Sequence, residues 1–213
     1  MASAVAPPRP RTPAGAGGPG GGDAGDRWRG GGGPDETAQS IRRYKMGMWV
    51  GLGAVVMMFA AFTSAYVVRK GLSNDWRAIA LPPVLWLNTA VLAVSSFTFE
   101  RARRNRESCL AWLGATSTLG VAFLAGQYVA WRELRAAGVY LASNPSSSFF
   151  YLLTGAHALH LAGGILALAY VVFRASRPSL WVNRQAALEA TSLYWHFMDG
   201  LWIYLLLLLS LGR

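Results

Sequence analysis

The chain has 213 residues, of which 53% are hydrophobic and only 14% are charged, with a formal net charge of +10. The positive charge does not indicate nucleic-acid binding, because the cationic residues lie between apolar segments and not along one soluble face. The single cysteine, Cys109, excludes an internal disulfide framework and a cysteine-based zinc site. The high hydrophobic content and the low charged content favour a membrane protein.

The first 40 residues or so differ in composition from the rest of the chain. They are rich in Gly, Pro and Ala, with runs such as GAGGPGGG and GGGG. Such a segment cannot bury enough apolar surface to offset its ordering entropy, and it has no apolar core of the kind a secretory signal needs. We therefore expect a disordered tail at residues 1–40 and a structured domain at residues 41–213.

Five apolar segments follow the tail. A helix rises about 1.5 Å per residue, so about 20 apolar residues cross a hydrocarbon core roughly 30 Å thick. The expected spans are residues 45–68, 83–99, 109–131, 149–173 and 190–211. The predicted fold class is therefore all-α, a polytopic membrane bundle of five transmembrane helices.

The first two spans carry signals for contacts between helices. Gly47 and Gly51 are spaced i, i+4 with Gly53 nearby, and small residues at this spacing let helices approach closely. In the second span, Asn88 and Ser95 recur at helical spacing. We interpret them as interhelical hydrogen-bonding residues in preference to a substrate site.

The fourth span, residues 149–173, contains no Asp, Glu, Lys or Arg. It nevertheless holds His157 and His160, which share a helix face with Thr154 and Gly164. Polar side chains inside a membrane normally face protein or a water-filled cavity. This face is therefore predicted to contact other helices or lipid headgroups.

The fifth span contains a histidine and an acid three residues apart, His196 and Asp199. A charged group near the bilayer centre costs about 2.5–3.5 kcal/mol on insertion scales, so Asp199 should have a partner. The candidates are His196, Tyr194 or a group on another subunit. A proton relay and a structural hydrogen-bonded pair are both open interpretations, and we favour the structural pair.

A metal or haem site would have to use the three histidines, His157, His160 and His196. Haem held by two histidines needs ligands on facing helices, whereas His157 and His160 share one face. A zinc site with three histidines and an open position would need Asp199 as its base. We expect neither, and we expect no catalytic residue and no metal ligand in this chain.

The distribution of cations predicts an orientation. Most of the Lys and Arg residues lie in the N-terminal tail and in the second and fourth loops. Cations accumulate on the cytoplasmic side of a membrane. The N-terminus is therefore predicted inside and the C-terminus, after five spans, outside.

Four segments together resemble one known family. The sequence YWHFMDGLW, residues 194–202, resembles the last-helix signature of subunit III of the haem–copper oxidases, the cytochrome c oxidase family. TGAHALHLAGG at 154–164, KMGMWVGLGAVVMMF at 45–59 and PPVLWLNTAVL at 82–92 resemble three further helices of that family. Their order and loop lengths agree over about residues 41–213, as in the five-helix bacterial form.

This resemblance implies a non-redox accessory subunit of a proton-pumping terminal oxidase that reduces oxygen to water. Haem and copper would be in partner subunits. The chain would pack directly against subunit I, within a complex that includes subunit II and other oxidase subunits, in a bacterial plasma membrane. It would hold phospholipid, stabilise subunit I and support proton uptake, and it would not bind nucleic acid.

The resemblance also implies which residues make helix-packing or lipid contacts. They are Trp49, Asn88, Thr154, His157, His160, Gly164, Tyr194, Trp195, His196, Asp199 and Trp202. The family often has carboxylates where this sequence has Val55 and Ala130, so no role tied to those acids is expected here.

Three other functions remain open from the sequence. The first is subunit III of a quinol oxidase, because the electron donor is recognised by other subunits. The second is a small proton-coupled transporter that uses Asp199. The third is a membrane metal enzyme.

Overall fold

The computed structural model describes residues 34–72, 76, 81–105, 107–175 and 184–211. They form five helices and, in these described ranges, no strand. The helices are α1 (Pro34–Leu72), α2 (Val84–Arg104), α3 (Cys109–Ala136), α4 (Pro145–Ala175) and α5 (Arg184–Leu211). The all-α prediction is confirmed, whereas the disorder predicted for residues 1–33 lies outside the described residues.

Four of these helices are long and apolar enough to cross a membrane: Met46–Leu72, Cys109–Ala136, Pro145–Phe173 and Ala187–Leu211. The remaining helix, α2, is less apolar but has 21 residues, enough to reach roughly 30 Å. Its polar residues Asn88, Ser95 and Thr98 are buried among the other helices. The structure is therefore a five-helix membrane bundle.

The helices are longer than the predicted spans. Helix α1 begins at Pro34, so residues 34–40, which we had assigned to the disordered tail, are helical and that boundary is wrong. The sequence Pro34-Asp35-Glu36 offers a reason, because proline and acidic residues are favoured in the first turn of a helix.

Helix α2 continues past the predicted end at residue 99 because its basic last turn is stabilised by local pairing. Glu100 accepts hydrogen bonds from Arg104 (2.8 Å) and Arg103 (3.1 Å), the i+4 and i+3 positions. The hydrogen bond from Arg104, together with the positive charge of Arg103, lowers the pKa of Glu100 below its usual value. The carboxylate therefore stays charged at neutral pH, at the end of the span.

Helix α4 begins four residues before its predicted start, at Pro145. Asn144 precedes it, and the Asn144 side-chain oxygen accepts a hydrogen bond from the backbone N–H of Ser147 (3.0 Å). Asparagine as the cap followed by proline in the first turn is a favoured way to start a helix. The turn at this point therefore leads directly into α4.

The helices pack in a closed arrangement in which each contacts specific neighbours. Consecutive helices α2, α3, α4 and α5 pack in order, α5 returns to contact α2, and α1 lies against α4 and α5. Trp195 and Trp202 of α5, Phe99 of α2, Phe123 of α3 and Phe150 of α4 are fully or almost fully buried between them.

Glycines allow some of these close contacts, although not the ones predicted. A Cβ added at Gly47, Gly51 or Gly53 of α1 would meet no heavy atom within 4 Å. A Cβ at Gly120 of α3 would instead lie 2.8 Å from the ring of Trp195. The small-residue spacing at the start of α1 therefore makes no close helix contact within the described part of this chain.

Candidate polar and aromatic site in the helix bundle

Two buried tryptophans of α5 donate hydrogen bonds to hydroxyl groups of α2. Trp195 Nε1 donates to Ser95 Oγ and Trp202 Nε1 donates to Thr89 Oγ1, each at 3.0 Å. Neither indole is more than 1% exposed. These bonds fix the register of α5 against α2, because a shifted helix would leave the indole N–H groups unpaired inside the bundle.

Asn88 joins α2 to α3. Its Nδ2 donates to the backbone oxygen of Phe123 (3.4 Å), and its carboxamide lies over Gly126. The interhelical hydrogen bonds predicted for α2 are therefore present, through Asn88 and Ser95. Because Gly126 has no side chain, the two helices can approach closely here.

His157 lies in the centre of the bundle and is completely buried. Its ring packs against Trp202 at 5.2 Å and edge-on against Phe123 at 5.8 Å between centroids. One turn earlier, Thr154 Oγ1 accepts a hydrogen bond from Trp131 Nε1 (3.1 Å). This part of α4 is therefore enclosed by aromatic side chains of α3 and α5.

Four side chains of α3, α4 and α5 keep buried polar atoms that have no hydrogen-bond partner among the described residues: His157, Gln127, Ser192 through Oγ and Asp199 through Oδ1. Both ring nitrogens of His157 and both amide atoms of Gln127 are among these atoms. Such groups are rare in folded proteins and costly to bury. Gln127 was not among the predicted site residues. The signal that could have identified it is an amide side chain inside an apolar segment, which the sequence does show.

His160 has different neighbours from His157 although the two share one helix. Phe59 of α1 packs edge-on against its ring at 5.9 Å, and Tyr194 of α5 donates to its backbone oxygen (2.9 Å). A Cβ at Gly164 would lie 2.9 Å from Cε1 of Tyr194, so the glycine makes room for this tyrosine. The predicted polar face of α4 therefore has two different surroundings. His157 lies between α3 and α5, whereas His160 contacts Phe59 of α1 and Tyr194 of α5.

The partner of Asp199 is a residue that we had not proposed for this role. Ser96 Oγ of α2 donates a short hydrogen bond to Asp199 Oδ2, and Ser96 Oγ is also 3.1 Å from Nδ1 of His196. Ser96 thus links Asp199 with His196, whereas Tyr194 bonds to His160. Ser96 could not be predicted as the partner of Asp199, because the two residues are 103 apart in the sequence.

A cleft of about 830 Å³ lies between α1, α4 and α5. Its lining includes Gly47, Gly51, Leu52 and Val55 of α1, Gly164 and Ala167 of α4, and Tyr194 of α5. The lining residues are mostly apolar or small, and none of them is an Asp, Glu, Lys, Arg or His. The cleft is therefore suited to an apolar ligand at membrane depth.

The structure brings most of the predicted site residues together, with Trp49 as the exception. Trp49 is 62% exposed on α1 and is not part of the buried core. Within the described ranges, no three His, Cys, Asp or Glu side chains are grouped closely enough to hold a metal ion. The arrangement can lock helices together and leaves an apolar cleft beside them.

Comparisons with known proteins identify the family. The family described as cytochrome c oxidase subunit III matches residues 36–211. The cytochrome c oxidase subunit 3 of Synechocystis sp. is 32% identical over 164 residues, which cover 72% of this chain and 69% of the relative.

Two further relatives have similar names and coverage. The cytochrome c oxidase subunit 3 of Thermostichus vulcanus is 30% identical over 77% of this chain and 85% of its own length. The probable cytochrome c oxidase subunit 3 of Mycobacterium bovis is 32% identical over 75% of this chain and 83% of its own length. The chain therefore belongs to the cytochrome c oxidase subunit III family, and it is a subunit of an oxidase complex.

Proposed function

We propose that this chain is the accessory subunit III that packs directly against the catalytic subunit I and stabilises it during turnover. Subunit II and other subunits complete the complex, and the haem and copper centres lie in those partners. The chain has no catalytic centre of its own, and it supports proton uptake through the position of its helices.

One observation carries the accessory role beyond family membership. The polar motif residues are used to hold helices together: Trp195 and Trp202 bond to α2, Tyr194 bonds to α4, and Asp199 bonds to Ser96. The bonds from Trp195, Trp202 and Tyr194 fix helices against each other, which favours a subunit over a small transporter. Asp199 also joins α5 to α2 through Ser96, and we propose a structural role for it, although its Oδ1 has no partner among the described residues.

The apolar cleft supports a second part of the function, the binding of phospholipid. Its walls are formed by three helices. Val55, which lines it, is one of the two positions at which the family often has a carboxylate and this chain has an apolar residue. An acyl chain fits such a lining better than a charged headgroup does, because only Thr191 and Tyr194 among the lining residues carry a polar side chain and none of them is charged. We propose that a phospholipid acyl chain occupies this cleft.

Removing the chain from the oxidase is expected to leave the initial rate of oxygen reduction largely unchanged. The loss should appear as faster inactivation over many turnovers and slower proton uptake at alkaline pH, because subunit I would expose a face that is normally covered. Gly51→Trp, which fills the cleft, should reproduce part of this loss. The measurement is oxygen consumption followed over successive turnovers, together with phospholipid retained per complex.

Gly53→Trp is the matched control, because Gly53 lies on α1 outside the cleft lining and a Cβ there meets nothing within 4 Å. It should keep both the lipid content and the lifetime of the complex. If removing the chain stopped electron transfer from the first turnover while haem spectra stayed normal, the accessory role would be wrong.

We also propose that the protein lies in a bacterial plasma membrane with its N-terminus in the cytoplasm. The excess of cations in the tail and in the second and fourth loops supports this orientation. A periplasmic reporter enzyme fused after Arg213 should be active, whereas the same reporter fused within residues 101–107 should be inactive. Activity of the second fusion alone would reverse the orientation.

A further inference from the structure

Gln127 of α3 and His157 of α4 are polar side chains enclosed in the middle of the bundle. Gln127 is 1% exposed and His157 is completely buried. Within the described ranges, neither amide atom of Gln127 and neither ring nitrogen of His157 has a hydrogen-bond partner. Bulk water does not reach polar groups at membrane depth, so each of these atoms is costly to leave unpaired.

The contacts between α3 and α4 place the two side chains opposite each other. Phe123 packs against the His157 ring at 5.8 Å between centroids, and Trp131 Nε1 donates to Thr154 Oγ1 at 3.1 Å. Gln127 lies one turn from both Phe123 and Trp131, so these three residues share a face of α3. Thr154 and His157 are one turn apart on α4. Gln127 therefore faces the part of α4 that lies between Thr154 and His157.

The polar groups next to this position are already engaged. The Thr154 hydroxyl donates to a backbone oxygen of its own helix (2.7 Å) and accepts from Trp131. The N–H of Trp202, whose ring packs against His157, donates to a hydroxyl of α2 (3.0 Å). An indole has one donor and no acceptor, so neither tryptophan has a further polar group to offer. Gln127 and His157 therefore need a partner other than these neighbours.

Water meets the requirements of this position better than an ion or a lipid does. Residues 109–131 and 149–173 include no Asp, Glu, Lys or Arg, so neither span supplies a charge to offset that of an ion. Lipid is excluded because protein encloses both side chains. A neutral imidazole has one donor and one acceptor, and an amide has both kinds of group. Water also donates and accepts, and buried waters typically pair with such groups.

We propose that Gln127 and His157 form a binding site for buried water that joins α3 to α4 at the centre of the bundle. A bridging molecule bonds to the Gln127 amide and to one ring nitrogen of His157. It links these two helices as the Asn88 side chain links α2 to α3. The site belongs to the fold of this chain, so it does not depend on the proposed accessory role or on the proposed lipid.

A density map of the intact oxidase in which ordered water is visible tests the site directly. We expect a peak between α3 and α4 at about 2.7–3.2 Å from an amide atom of Gln127 and from a ring nitrogen of His157. A direct hydrogen bond between the two side chains, or the absence of a peak between them, would overturn the proposal.

Gln127→Met removes both amide atoms from the site and nearly keeps the length of the side chain. If water is bound, the substitution breaks its bonds to α3. The temperature at which half of this chain dissociates from the oxidase should then fall by about 2–4 °C, and the peak beside His157 should weaken or vanish. If the amide atoms are unpaired, the same substitution removes a costly buried polar group, and this temperature should rise.

Thr118→Val is the matched control, because it also replaces a polar side chain of α3 by an apolar one. Thr118 is exposed, and its hydroxyl donates to the Gly114 backbone oxygen of the same helix (3.0 Å). The control should keep both the peak and the dissociation temperature. A dissociation temperature of Gln127→Met at or above that of the wild type, or a peak that persists unchanged in this variant, would show that no water bridges Gln127 and His157.

Discussion

Gly126→Ala is expected to destabilise the helix bundle, although alanine is the better helix former. The added Cβ would overlap the carboxamide of Asn88, with Cγ at 2.9 Å and Nδ2 at 3.0 Å. Asn88 is 3% exposed and donates to the Phe123 backbone, so moving it breaks a buried hydrogen bond. Overpacking of this kind costs about 1–3 kcal/mol, which exceeds the gain of about 0.5–1 kcal/mol in helix propensity.

The measurement is the temperature at which half of this chain has dissociated from the purified oxidase. Gly114→Ala is the control, because it lies on the same helix and its added Cβ meets nothing within 4 Å. It should leave the midpoint unchanged or raise it. Asn88→Ala should remove most of the additional effect of Gly126→Ala, as coupling in a double-mutant cycle. Equal effects of both glycine substitutions would contradict the close contact between α2 and α3.

The positions of the helices could be predicted because a membrane requires long apolar segments. Four of the described helices meet this requirement, and α2 is a less apolar segment of similar kind. Their ends could not be predicted from hydropathy, because they depend on local pairing. Glu100 extends α2 through its two arginines, and Asn144 caps α4. Both features use polar residues that an apolar-span criterion places outside the helix.

Which helix face packs inward was harder to predict. Lipid is about as apolar as leucine, so a leucine facing lipid and one facing another helix look the same in sequence. The glycines of α1 suggested a close contact that is absent within the chain, whereas Gly120 and Gly126 of α3 make one. Polar residues were better guides, since Asn88 and His157 are both buried.

The identity of each polar partner could not be predicted. Ser96 bonds to Asp199, and Thr89 accepts from Trp202 more than 100 residues away. The sequence shows that Asp199 needs a partner, because an unpaired acid inside a membrane is costly. It contains several hydroxyl groups at helical spacing, and only the register of α2 against α5 selects among them.

Trp202→Ala is expected to be among the most destabilising single substitutions in the chain. The indole is 1% exposed, packs at 4.9 Å from Phe123 and 5.2 Å from His157 between centroids, and donates to Thr89. Its removal leaves a cavity where α2, α3, α4 and α5 meet. Tryptophan-to-alanine changes in well-packed cores cost about 3–5 kcal/mol.

Trp202→Phe separates packing from hydrogen bonding. It keeps an aromatic ring beside Phe123 and His157 but loses the bond to Thr89 Oγ1, so we expect a loss of about 1 kcal/mol. Trp49→Ala is the matched control, because Trp49 belongs to another family motif but is 62% exposed. The thermal midpoint of the assembled oxidase should fall in the order Trp49→Ala, Trp202→Phe, Trp202→Ala, with Trp49→Ala closest to wild type. A fall for Trp49→Ala as large as that for Trp202→Ala would mean that the exposed face of α1, and not the centre of the bundle, limits the stability of the complex.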